Sequence, residues 1–419
     1  MGGTSVCVTG MGLVTSVGTS AADIMDAMCA GRSGITVPPP DHPLAGALEA
    51  GGFGPAIDPA SVLPRHETVV VDRYVIMVLK AAEEALADSG IVVGRDVDPF
   101  RIAVVVSSTG GLSALEAQVL SRAERGRAGV SSYMLPGILP NMGASRIAIK
   151  HGIRGYSSAI ATACAAGGQS IGEGTRLLRE GLADVVVCGC SEMPLFPTIV
   201  DYFRNARALA QGWGADPTAA CRPFDRRHNG LVLAEGAGVF VLERAAHADG
   251  RGASGYADVA GWGATNDAHH PVAPDPEGEG AAQCMRIALA DAGIEPHDVG
   301  YVNAHGTSTK LGDQAEALAI RKAFGEYSPP VSATKAVTGH MLGASGMAEA
   351  AVTVLALRRG LLPPTHNLDD PDPACELDHV RKAPRRARVT HAMSNSFGFG
   401  GHNVSVVFGQ PSTRLIREM

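Results

Sequence analysis

The sequence predicts an α/β protein built on buried sheets, and three observations lead there. Short apolar runs alternate with helix-periodic segments along the chain, one cysteine-bearing segment reads as a strand–helix–strand unit, and 419 residues suffice for two core-bearing halves.

Residues 5–9 (SVCVT) read as the first strand and residues 101–108 (RIAVVVSS) as the next. Between them, residues 72–90 carry Val75, Leu79, Ala82 and Leu86 at helical spacing, with Gly90 as the stop. Gly10, Gly12 and Gly18 lack the spacing of a dinucleotide-binding loop, so a tight turn after the first strand is expected. Residues 156–163 and 183–190 are apolar runs of strand length. The segment between them, CAAGGQSIGEGTRLLREGL, is rich in small residues and reads as a helix packed closely at its start. Residues 301–304 and 331–334 are short buried strands, each entering a polar, glycine-bearing turn and then a helix. Residues 388–395 and 403–408 are two strands joined by the glycine-rich turn SFGFGGH. The stretch HADGRGASG at 247–255 interrupts two strand-like runs and sets an expected division into halves at 1–250 and 251–419. The Pro-rich stretches 37–43 and 363–373 read as surface loops.

Composition narrows the function classes. With 45% hydrophobic and 18% charged residues and a formal net charge of -7, the chain is neither a disordered segment nor a protein that coats nucleic acid by bulk charge. Eight cysteines lie scattered without a secretion signal at the start MGGTSVCVTG, which fits a reducing cytoplasm better than a disulfide framework. Cys188 and Cys190 share one face of an apolar run and have no partners at zinc spacing, so no metal is expected. No apolar run reaches the roughly 18 residues that span a bilayer, so no membrane role is expected.

Cys164 stands where an apolar run ends and a helix of small residues begins, where free backbone N–H groups and the helix dipole favour a thiolate. The same N–H groups offer half of an oxyanion hole. His305 in NAHGTSTKLGD and His340 in TKAVTGHMLGASG share one setting: strand end, glycine turn, helix start. In α/β folds that is where active-site residues collect.

ATACAAGG, AHGTSTKLGD, TKAVTGHMLGASG and NSFGFGGHN occur together in that order, with CRPFDRRHNGLVLAEGAG and GWGATNDAHH after the first. By this set the chain resembles the elongating β-ketoacyl-acyl carrier protein synthases over nearly its whole length. The resemblance implies the thiolase fold, two duplicated halves each with a five-stranded sheet, stacked in α-β-α-β-α layers. It implies decarboxylative condensation of a Cys164-bound acyl chain with a malonyl thioester held by His305 and His340 through Nε2–H. It also implies an oxyanion hole from the backbone N–H groups of Cys164 and Phe399, with Phe399 as a gate. Lys335 and Glu316 would form a buried ion pair holding the histidine loops, with Glu349 a further supporting carboxylate. Thr307 and Thr309 would bind the pantetheine arm. No separate cofactor is implied, since substrates ride on the phosphopantetheine arm of acyl carrier protein, the expected partner, and the enzyme is expected as a homodimer.

The chain departs from this pattern at Thr109, where a bulky aliphatic residue often floors the acyl pocket; a smaller, polar side chain there suits a longer or polar acyl group. Basic residues are also fewer before the helix at residue 72, leaving Arg65, His66 and Arg73, with Arg204 and Arg207, as candidates for carrier docking. The alternative reading is the ketosynthase subunit of a type II polyketide or polyene pathway, heterodimeric with a chain-length-factor subunit. Retention of Cys164, His305 and His340 argues against a non-catalytic partner subunit, and the last motif lacks the second cysteine of a thiolase.

Overall fold

The structure is a computed structural model that describes residues 4–68, 71–412 and 414–415. The main elements begin with β1 (Val6–Val14), α1 (Arg73–Ser89), β2 (Ile102–Ser107), α2 (Met142–His151) and β3 (Ser157–Ser158). They continue with α3 (Ala166–Arg179), β4 (Val185–Glu192) and β5 (Gly236–Arg244). A second series follows: β6 (Ala257–Asn266), α4 (Glu279–Ala292), β7 (Val299–Asn303), α5 (Lys310–Phe324) and β8 (Pro330–Ser332). It ends with α6 (Ser345–Arg359), β9 (Asp378–His379), β10 (His391–Gly398) and β11 (His402–Gly409).

The strands form one 11-stranded sheet in the order β9-β8-β7-β10-β11-β6-β1-β5-β4-β2-β3. Read outward from the centre, β1-β5-β4-β2-β3 and β6-β11-β10-β7-β8 are the same topology twice. In each half the first, fifth and fourth strands pair antiparallel and the fourth, second and third parallel. This is the duplicated thiolase fold. The separate five-stranded sheets expected from the sequence are instead continuous, because β1 and β6 pair at Cys7↔Asp258 and Val8↔Ala257. β9 adds an extra edge strand beside β8.

Three apolar cores define the layers. One packs α1 and α2 on the outer face of β2, β4 and β5 through Tyr74, Val78, Ile147 and Val187. The second, between the halves, holds α3 and α6 through Ile171, Leu178, Met347 and Leu355. The third packs α4 and α5 on β7 and β10 through Met285, Ile320 and Met393. Among the described residues, no helix is long and apolar enough to cross a membrane.

Sequence signals mark α1 well: Asp72 accepts from Tyr74 N as its N-cap, and Gly90 closes it at φ 69°. Gly10 and Gly12, expected in a turn, lie inside β1. A Cβ on either would sit 2.1 or 2.0 Å from the carbonyl oxygens of Ala85 and Ala81, so these glycines let α1 lie directly on the strand. Of residues 156–163 only Ser157–Ser158 joins the sheet. The chain then leaves it, and Ala163 adopts φ 48° to deliver Cys164 to the next helix. The 363–373 stretch is a loop, but Pro363 and Pro364 are buried and Thr365 is tied in, its Oγ1 accepting from Ala333 N at 3.0 Å.

Candidate active site

Cys164 occupies the single 3-10 turn Ala163–Ala165 at the head of α3 and is buried. The small residues after it permit close approach of the second half. A Cβ on Gly167 would lie 2.5 Å from Gly343 O, and one on Gly346 would lie 2.9 Å from Gly168 N. The starts of α3 and α6 therefore touch backbone to backbone, which brings the turn carrying His340 to Cys164. Gly398 is equally constrained, since its Cβ would lie 3.0 Å from Cys164 N. The backbone entering Phe399 thus runs beside the Cys164 amide.

His305 follows β7 and His340 follows the short helix Lys335–Thr338. Their rings stand 5.4 Å apart, edge to face, and both are buried. His340 is pinned to the first half, its N–H donating to Val232 O at 2.7 Å and its carbonyl accepting from Ala234 N at 2.9 Å. Glu316, from α5, accepts from His305 N at 2.8 Å and Gly306 N at 2.7 Å.

Both imidazoles have a donor at Nδ1. Lys335 Nζ lies 3.1 Å from His305 Nδ1 and donates to His305 O at 2.5 Å. Ser345 Oγ accepts from Met341 N at 2.9 Å and lies 3.2 Å from His340 Nδ1, where its hydroxyl hydrogen is free to donate. The Lys335 ammonium can only donate, which leaves the His305 proton on Nε2, and a Ser345 hydroxyl donating to Nδ1 would do the same for His340. Burial and the Lys335 charge hold both rings well below the usual imidazole range, so both are neutral near pH 7. Ser345 was not singled out from the sequence. Its only signal was a hydroxyl five positions after His340 in the same glycine turn.

Lys335 pairs with Glu349 and not with Glu316 as expected. Both oxygens of Glu316 are already committed to the His305 and Gly306 amides. Burial pushes Glu316 up to about 7 and raises Glu349 as well, against the lowering influence of Lys335. Burial also pushes the Cys164 thiol up to about 12, outweighing Lys335 and the thiol's own backbone N–H. The resting group is therefore a thiol, whereas its place at a helix start had suggested a thiolate.

Cys164, His305, His340, Glu316, Phe399, Thr307 and Thr309 line one cavity of about 630 Å³. Thr307 Oγ1 and Thr309 Oγ1 are 2.9 Å apart there. Phe399 stacks on Phe203 with ring centroids 6.1 Å apart. Thr109 lies outside this cavity, exposed on the single chain, and its hydroxyl donates to buried Glu192 at 2.5 Å. That bond commits the hydroxyl hydrogen to Glu192 and leaves only its lone pairs to meet a polar acyl chain.

The docking bases sort unequally. Arg73 is spent on a bidentate pair with Glu235, at 2.7 and 2.8 Å, and Arg204 pairs with Asp201 at 2.7 Å. Arg65 and His66 are exposed, and exposed Arg207 lines the cavity.

Comparison with known proteins places these features in context. Residues 4–248 match the model of the β-ketoacyl synthase N-terminal domain, and residues 256–369 that of the C-terminal domain. The 3-oxoacyl-[acyl-carrier-protein] synthase 2 of Synechocystis sp. is 39% identical over 406 residues, 96% of this chain and 97% of the relative. A chain from the structure of a type II polyketide acyl-carrier protein in complex with its ketosynthase bound to the hexaketide superposes with a TM-score of 0.89 at 29% identity, covering 98% of this chain and 100% of that one. The ishigamide ketosynthase/chain length factor gives a TM-score of 0.90 at 28% identity, with 98% and 100% coverage.

Proposed function

The chain belongs to the β-ketoacyl synthase family, and from that premise we propose that it condenses a Cys164-bound acyl chain with malonyl-acyl carrier protein to give 3-oxoacyl-acyl carrier protein, as in fatty acid elongation. The observation that carries this reading is the convergence of one thiol and two neutral, Nε2-protonated imidazoles on one cavity.

In the first step Cys164 attacks the acyl thioester of the carrier. Its sulfur forms the new thioester and the pantetheine sulfur leaves, taking up the proton that the Cys164 thiol gives up. The tetrahedral oxyanion sits between the backbone N–H groups of Cys164 and Phe399, where one such donor contributes about 3 kcal/mol. The malonyl thioester then enters along Thr307 and Thr309, and its carbonyl accepts from Nε2–H of His305 and His340. Carbon dioxide leaves and its bonding pair becomes the enolate, whose charge these two donors stabilise. The enolate carbon attacks the Cys164 thioester, the thiolate is expelled and regains a proton, and the product leaves on the carrier. Phe399, beside Gly400 at φ 83°, swings away from Phe203 when Cys164 is acylated. Lys335 and Glu349 hold the His305 ring, and Glu316 holds its backbone.

The nucleophile belongs to the half at 1–250 and both imidazoles to the half at 251–419, a division supported by family models that end at 248 and resume at 256. Carrier docking falls to Arg65, His66 and Arg207. The enzyme is a homodimer of the cytoplasm, in keeping with the unbridged thiols of Cys29, Cys164, Cys188, Cys190, Cys221, Cys284 and Cys375. A second reading, the ketosynthase of a type II polyketide or polyene pathway paired with a chain-length-factor subunit, is favoured by the solved ketosynthases that superpose over 98% of this chain.

Incubation with acyl-loaded and malonyl-loaded carrier proteins tests the reaction. Mass spectrometry should find an acyl group on the Cys164 peptide and a 3-oxoacyl product on the carrier. A product without loss of carbon dioxide, or acylation elsewhere, would overturn it.

A further inference from the structure

One buried histidine at the cavity wall has no part in the chemistry above. His228 lies in the CRPFDRRHNG segment, with its side chain 1% exposed. Its Nδ1 is 2.9 Å from Asp313 Oδ2, and its buried Nε2 lies 3.3 Å from Asp372 Oδ2, near enough for charge attraction but outside hydrogen-bond geometry. A neutral imidazole has one N–H and one lone pair, so it would turn a lone pair on one of these carboxylates. Only the imidazolium suits both.

Asp313 does more than pair with His228. Its Oδ1 accepts from Ser308 N at 3.0 Å, and its Oδ2 accepts from Phe224 N at 2.8 Å. Ser308 holds φ 68°, an uncommon conformation for a non-glycine residue, and its hydroxyl accepts from Arg222 N at 3.0 Å. The loop from His305 to Thr309 is thus gripped at one end by Glu316 and at the other by Asp313. Asp313 is fully buried, and the cost of burying a carboxylate is offset by the amides it accepts from and by a cation beside it.

We propose that His228, as an imidazolium between Asp313 and Asp372, is a positioning residue: it holds Asp313 in place so that the loop carrying His305, Thr307 and Thr309 keeps its shape. This rests on the proposed condensation. Among the described residues the other nearby cations are engaged elsewhere, Arg226 on the same turn with Asp370 at 3.1 Å. On its own turn, Arg222 and Arg227 both engage Asp225 and Asp369. From α5 the facing groups are Asp313 and Glu316. From the 369–375 loop they are Asp372, which Gln314 also contacts at 3.0 Å, and Cys375. Burial alone would lower the His228 titration, but Asp313 and then Asp372 bring the net effect to a rise. A raised imidazole is charged below its ordinary range and loses the charge as pH climbs through the raised value, so the loop should loosen on the alkaline side.

The test compares kcat/KM for condensation between about pH 6 and about pH 9 in the wild type, His228→Gln and His228→Arg, with 13C-histidine NMR following the ring. The wild type should show an alkaline limb that coincides with the titration of His228. His228→Gln should fall at least about tenfold near neutral pH and lose that limb, since small displacements of a catalytic group are steeply felt. His228→Arg, permanently charged, should recover activity and move the limb upward. An unshifted limb in His228→Arg, or a His228 resonance titrating below the ordinary imidazole range, overturns the proposal even if His228→Gln fails to fold. A wild type that forms no product at any pH sinks the condensation reading instead, while the NMR titration still judges the charge on His228.

Discussion

Lys335 Nζ lies 3.1 Å from His305 Nδ1 while pairing with Glu349, so one ammonium fixes a tautomer and neutralises a buried carboxylate together. The two duties separate by mutation. Lys335→Met leaves Glu349 buried without its cation and should cost about 3 to 5 kcal/mol of stability. The double variant Lys335→Met/Glu349→Gln removes the stranded charge and should recover most of that. Malonyl decarboxylation should stay at least about tenfold down in both, because nothing then donates to Nδ1 of His305. Thermal melts beside decarboxylation rates check this; recovery of rate with stability would reduce Lys335 to a structural role.

Cys164→Gln should abolish condensation yet retain malonyl decarboxylation, since the uncharged amide imitates the acylated thiol while both imidazoles remain. His305→Ala and His340→Ala should lose decarboxylation. Carbon dioxide release from malonyl carrier protein measures both, and a Gln variant inert in that assay would contradict the separation of thiol and imidazole roles.

The elevated Cys164 thiol gives a pH dependence. Burial pushes it up to about 12, so the reactive thiolate fraction rises about tenfold per pH unit across the neutral range. Alkylation of the Cys164 peptide by iodoacetamide should therefore accelerate up to about pH 10 without a plateau. The competitor is Cys29, which is not buried, whereas Cys188, Cys190, Cys221, Cys284 and Cys375 are. Cys164 should still label first, because it lines the cavity. A plateau near neutrality would mean the dipole of α3 outweighs burial, and first labelling of Cys29 would mean the cavity is closed to the reagent.

What could be read from the sequence was local. Periodicity and end signals give α1 to within a residue, because Asp72 and Gly90 act through their own neighbours. The strand end that carries His305 was legible for the same reason, but Cys164 sits in a 3-10 turn after the chain has left the sheet and His340 follows the helix Lys335–Thr338, so neither stands at the strand end expected of it. What failed was long-range. That Lys335 meets Glu349 and not Glu316 depends on how α5 and α6 flank one loop, and the residues themselves offer two equivalent carboxylates. Gly10 and Gly12 look like turn formers until α1 is laid across β1. His228 and Ser345 act through partners 85 and 5 residues away, so no motif displays their work.

Thr109 is where the two views meet, and its two ends predict different things. Its hydroxyl donates to Glu192 at 2.5 Å, and its backbone N–H lies 3.2 Å from both carboxylate oxygens. Burial pushes Glu192 up to about 7, with the Thr109 bonds opposing. A carboxyl raised on folding is protonated more readily in the folded state, so its contribution to stability is present at low pH and is lost as pH rises through about 4.5 to 7. Thr109→Val keeps the shape and removes the donor, which raises Glu192 further. Its deficit against wild type should reach about 1 to 3 kcal/mol above pH 7 and nearly vanish near pH 5, where Glu192 is protonated in both. Denaturant melts at the two pH values read this directly; equal deficits would mean Glu192 is neutral throughout. The acyl chain should notice the other end. In the proposed dimer the exposed side of Thr109 becomes a pocket wall, so Thr109→Phe should shorten the accepted chain, because overpacking a rigid wall excludes more than a lost contact forgoes. Thr109→Ile should lose long chains and keep short saturated ones. Thr109→Val should keep the wild-type length profile despite its lower stability. Transacylation rates over a length series of loaded carrier proteins decide it: an unchanged profile in the Phe and Ile variants would leave Thr109 a support for Glu192 alone.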